Sequence, residues 1–200
     1  MNIPEVLASC RWVMDRARHL RIDSGAVTRF AQRLVSEPAS APDELTLRGP
    51  RDDVANFILI TDALNFCFWA DPSLKPWRVE FRGRSWTRTQ AMMAGMLRAV
   101  EQDRDWLSAQ RWADATDDDV AGLFAGTGCI PLARQRRDVL RETGAILAER
   151  SAGQFSRLVD AAEGDALTLA YRLAETFPSF RDVAEYAGEP VAFLKRAQIC

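Results

Sequence analysis

The spacing of Leu132, Arg136, Val139, Leu140, Thr143, Ile146 and Leu147 constrains this chain more than any other feature. Five of these seven positions are aliphatic, and they recur at the period of an α-helix. One face of a long helix must therefore be buried against other elements. Pro131 marks its start and Gly153 follows its end. Comparable signals recur along the chain. Pro4 suits the first turn of a helix reaching about Arg18, and Asp23 or Ser24 suits the N-cap of a second helix carrying Val27, Phe30 and Leu34. The stretch from Glu37 to Pro50 holds three prolines and reads as a surface loop. Asp52 and Asp53 open a helix whose centre, Phe57-Ile58-Leu59-Ile60, is apolar enough to be buried nearly all round.

Only one segment alternates convincingly. Trp77 to Phe81, followed by Gly83 and returning over Ser85 to Thr87, predicts a β-hairpin. Helices are expected again over Gln90–Glu101, after Thr116 as a cap, over Phe155–Ala162, over Ala166–Thr176 up to the break at Pro178, and from Pro190 to the end. The fold class is mainly α, a single helical domain over residues 1–200 with one small hairpin. The last predicted helix stops without a capping glycine or polar tail, so a further C-terminal portion is expected.

Composition limits the function classes. A formal net charge of −2 on 200 residues lacks the basic excess of a protein that wraps nucleic acid. A local basic pocket for a small anion remains open. The sole histidine, His19, excludes a His-rich metal site. Cys10, Cys67, Cys129 and Cys200 are scattered, as expected of free thiols in a reducing cytoplasm. No apolar run is long enough to span a membrane. A cytoplasmic monomer without metal or cofactor is expected.

Three constellations can carry chemistry. Asp62-Ala-Leu-Asn65-Phe66-Cys-Phe-Trp69 follows the apolar helix and offers three aromatics and an amide. It reads either as core packing or as an aromatic wall for a flat heterocycle. On a continued helix Asp62 and Asn65 share a face. Phe177-Pro-Ser-Phe180-Arg-Asp182 lies on a proline-fixed loop. If extended, it points Phe180 and Asp182 the same way, with Arg181 opposite; Asp182 also suits the N-cap of a helix from Val183. Finally, Lys195 and Arg196 can grip a phosphate or form a solvated helix face.

Taken together these motifs resemble the queuosine salvage protein family. The runs 62–69 and 177–182, then Tyr186, Gly188 and Phe193-Leu-Lys-Arg-Ala-Gln-Ile199, carry the resemblance. The stretches Ser9–Val13 and His19–Ile22 and the segment Ile130-Pro-Leu132 fit as well. The resemblance implies release of the base queuine from queuosine 5′-phosphate, on a mainly helical fold similar to that of DNA glycosylases. It implies Asp182 as the catalytic carboxylate with Phe180 as its paired aromatic. His19, Asn65, Phe66, Trp69, Lys195 and Arg196 become substrate-binding candidates. No cofactor, no metal and no stable nucleic-acid complex are implied. The chain departs from the family at Arg88-Thr89-Gln90, where an aromatic-rich segment is usual, and the family's further Asp-Tyr motif has no counterpart here. The competing reading is a non-catalytic module that binds a modified nucleoside or tRNA.

Overall fold

The computed structural model describes residues 3–36, 44–69, 75–198 and 200. The helices are α1 (Ile3–Arg16), α2 (Ser24–Ser36), α3 (Arg51–Ala63), α4 (Arg88–Gln102), α5 (Ala109–Ala113), α6 (Asp117–Leu123), α7 (Ala133–Ser151), α8 (Ser156–Asp160) and α9 (Ala166–Thr176). Two antiparallel hairpins interrupt them: β1 (Arg78–Phe81) with β2 (Arg84–Thr87), and β3 (Asp182–Tyr186) with β4 (Glu189–Phe193). Among the described residues no helix is long and apolar enough to cross a membrane.

The periodic stripe of α7 is the spine of the fold. Arg136, Leu140, Thr143 and Leu147 are completely buried. A Cβ at Gly144 would stand 2.4 Å from both the Ala109 carbonyl and the Ala113 amide, so only glycine lets α5 lie this close. Asn56 of α3 ties three segments together. Its amide donates to the Leu107 and Gly153 carbonyls, at 3.0 and 2.9 Å, and its oxygen accepts from the Phe155 N–H at 2.9 Å. Such a buried amide stabilises only because all its bonds are made. Thr116 opens α6 through a complete capping box with Asp119.

The first hairpin follows its alternation. Val79, Phe81 and Trp86 turn inward beneath α4, and the Arg82-Gly83 turn takes positive φ at both residues, the geometry that matches strand twist.

The second hairpin corrects the expectation of a single one, and with it two others. The C-terminal stretch from Pro190 is a strand followed by a turn, and Asp182 begins a strand rather than capping a helix. The reason lies at Ala187-Gly188, with φ of 51° and 82°, which closes a two-residue turn. Pro190 starts no helix. It sits opposite Glu185 on a two-stranded ribbon, where its missing N–H costs nothing in a larger sheet. This hairpin rests on α1. Ser9 Oγ accepts from the Ala192 N–H at 2.8 Å, and the Tyr186 hydroxyl donates to the Arg16 carbonyl at 3.1 Å.

Two helices are less enclosed than the apolar pattern implies. In α3, Ile58 keeps 38% of its surface exposed beside a shallow apolar groove. In α2, Val27, Phe30 and Leu34 all face outward, and no described side chain of that helix is buried. Of the expected proline loop, residues 37–43 lie outside the described residues.

Candidate functional site

A cavity of about 690 Å³ opens where α3 ends, and its size suits a nucleotide. Four stretches wall it: Asn65 to Trp69, Thr89 at the start of α4, the α7 face of Gln135, Asp138, Val139 and Glu142, and Pro178, Ser179 and Asp182 with Lys195 and Arg196. Those α7 residues recur at i, i+3, i+4 and i+7, so the helix gives one face to the core and an adjoining face to the cavity.

The aromatic wall is held from behind. The helix stops at Ala63, leaving the carbonyls that follow without helical partners. Arg136, entirely buried, donates to the carbonyls of Leu64, Phe66 and Cys67, and through Nε to that of Pro131. Its guanidinium lies 4.4 Å from the Phe66 ring centroid and 4.8 Å from that of Phe68. Burial among these groups, with no carboxylate partner, lowers its pKa to about 10. Phe68 in turn stacks on Trp77, the rings 6.4 Å apart and nearly parallel. Arg136 thus fixes the loop that carries three cavity aromatics, Phe66, Phe68 and Trp69. A charged residue inside an otherwise aliphatic stripe was its signal in the sequence.

Asp182 lies on the floor of the cavity, half-buried. Its Oδ2 accepts from the Arg196 backbone N–H at 2.9 Å and its Oδ1 from Arg196 Nε at 3.2 Å. These bonds tie the first residue of β3 to the turn after β4 and hold the carboxylate in one orientation. Each oxygen keeps a lone pair for a ligand. Arg181 does project away from Asp182. It donates to the Ala174 and Glu175 carbonyls, closing the end of α9.

The structure brings together six of the sequence candidates, Asn65, Phe66, Trp69, Asp182, Lys195 and Arg196, on this cavity. Asn65 accepts a 3.0 Å bond from the Thr89 hydroxyl, and Trp69 stands at the rim, 75% exposed. Lys195 has no salt-bridge partner among the described residues, whereas Arg196 is engaged by Asp182. Three expectations part from the geometry. Phe180 does not line the cavity; it is fully buried against Phe177, because residues 178–180 form a 3-10 turn instead of an extended strand. His19 lies elsewhere, in an exposed hollow with Arg16, Arg18 and Tyr186. Asp62 and Asn65 diverge once the helix ends, and Asp62 meets the Cys200 thiol beside a separate apolar hollow, where burial raises its pKa to about 6.

The mainly helical domain thus holds an aromatic-walled cavity of nucleotide size, with a basic corner and a fixed carboxylate. The profile of the family described as queuosine salvage protein matches residues 45–200. A protein of Sphaerobacter thermophilus is 44% identical over 197 residues, covering 97% of this chain and 60% of its own length. Proteins of Bos taurus and Mus musculus are 32% and 33% identical, over 96% of this chain and 59% of theirs. All three are named queuosine 5′-phosphate N-glycosylase/hydrolase. This chain belongs to the queuosine salvage protein family. It spans about 60% of the length of these curated relatives.

Proposed function

We propose that this chain is the substrate-binding domain of a queuosine 5′-phosphate N-glycosylase that releases queuine. We further propose that residues 1–200 form one domain, acting as a cytoplasmic monomer. The observation that carries the reading is the convergence of residues from the 62–69, 177–182 and 193–199 motifs on a single cavity of nucleotide size. The activity printed in the relatives' names is its second support.

The chemistry suits these groups. Cleavage of an N-glycosidic bond develops positive charge on the sugar, as in glycoside hydrolysis. A carboxylate held in one orientation needs no reorganisation to oppose that charge, and its free lone pairs can orient a water. Asp182, fixed by Arg196, fits both tasks. Phe66, Phe68 and Trp69 supply surfaces for the flat base, and Lys195 supplies the cation for the 5′-phosphate.

The test is base release by the wild-type chain and by Asp182→Asn. The substitution removes charge while keeping shape. Turnover is expected to fall by at least about 10²-fold, with the melting temperature nearly kept and ligand still bound. Near-normal release by a folded Asp182→Asn protein overturns the assignment. Binding without release by the wild-type chain makes it a nucleoside-binding module instead.

A further inference from the structure

The cavity contains a carboxylate that base release does not use. Three acidic side chains line it: Asp138, Glu142 and Asp182. Two are compensated by neighbouring arginines. Asp182 is paired with Arg196, and Asp138 holds Arg137 at 2.6 Å. Glu142 has no cationic partner among the described residues. Its Oε1 accepts the Ser179 N–H at 2.8 Å, which fixes the half-buried side chain, while Oε2 takes no protein hydrogen bond. Beside it the Ser179 hydroxyl, on a residue more than nine-tenths buried, has no hydrogen-bond partner among the described residues. A buried hydroxyl without a partner is costly unless a ligand supplies one. Carboxylate and hydroxyl together form an acceptor pair on the cavity that Lys195 also lines.

Uncompensated negative charge is unfavourable for an ordinary nucleoside monophosphate, which brings a dianion and a neutral base. It suits a ligand carrying both signs. We propose that Glu142 is a specificity-determining residue that receives a protonated amine on the base of the substrate, with Ser179 Oγ as the second acceptor. The inference rests on the queuosine 5′-phosphate reading. That nucleotide has a secondary amine on the substituent of its 7-deazapurine ring, cationic at neutral pH, with two N–H donors for two acceptors. The site thereby selects amine-bearing 7-deazaguanine nucleotides over neutral-base ones.

The experiment compares dissociation constants, by calorimetry, for queuosine 5′-phosphate and for 7-deazaguanosine 5′-phosphate, which lacks the amine. Glu142→Gln retains an acceptor for the Ser179 N–H and removes only the charge. The wild-type preference for the amine-bearing nucleotide is expected to shrink by about tenfold in Glu142→Gln, the scale of one hydrogen bond to a charged group. In Ser179→Ala it is expected to shrink by about threefold. Equal weakening of both ligands by Glu142→Gln would assign the residue to scaffolding and overturn the proposal. So would a wild-type chain that binds both nucleotides equally, a result that leaves base release untouched. A wild-type chain that neither binds nor cleaves queuosine 5′-phosphate removes the underlying functional reading and the subsite with it.

Discussion

The two hairpins are built on the same turn and do opposite work. Arg82-Gly83 and Ala187-Gly188 both close antiparallel pairs through two residues of positive φ. The first hairpin drives Val79, Phe81 and Trp86 into the core; β3 of the second buries none of its residues and β4 only Val191. The buried hairpin holds the fold together, and the exposed one carries Asp182 to the cavity. Under the proposed function, the less enclosed ribbon is the one that presents a carboxylate to the ligand.

Trp86→Ala should sharpen this contrast most. Removing a buried indole that also donates to the Phe81 carbonyl is expected to cost about 3–5 kcal/mol and to lower the melting temperature accordingly. A loss below about 1 kcal/mol would mean that the first hairpin is not part of the cooperative core. A finer comparison sets Gly83→Ala against Gly188→Ala. A Cβ meets nothing within 4 Å at either position, so both changes cost only the left-handed backbone, about 1–2 kcal/mol. The first should appear in the global melting temperature. The second should appear as faster amide exchange confined to residues 182–193, with the global transition nearly unmoved. Equal global shifts would erase the distinction between the ribbons. Smallest of all, Val183→Thr on the exposed side of β3 should change stability by less than about 0.5 kcal/mol, measured by urea denaturation.

The same contrast explains what the sequence made legible. Alternation announces a strand when one face is buried, so Arg78 to Thr87 could be read directly. Asp182-Val-Ala-Glu-Tyr186 has no apolar–polar alternation because no face of it is buried, and the proline at 190 imitated a helix start. The motif residues that meet at the cavity were recognisable by resemblance. The α7 wall was not, since Gln135, Asp138 and Glu142 look like any solvated helix face. Phe180 was misplaced for a local reason, because a tight turn beginning at Pro178 defeats an argument from two-residue spacing.

The bonds from Arg196 to Asp182 also set an order of events in biosynthesis. The cavity walls come from four separated stretches, and the arginine that orients the carboxylate lies far downstream of the aromatic wall. While the chain emerges, Phe66 and Phe68 wait for Arg136, and Asp182 waits for a turn fourteen residues downstream. Helices close early through neighbouring contacts, whereas these joins require distant segments to find each other. The helical framework therefore forms before the cavity that depends on it.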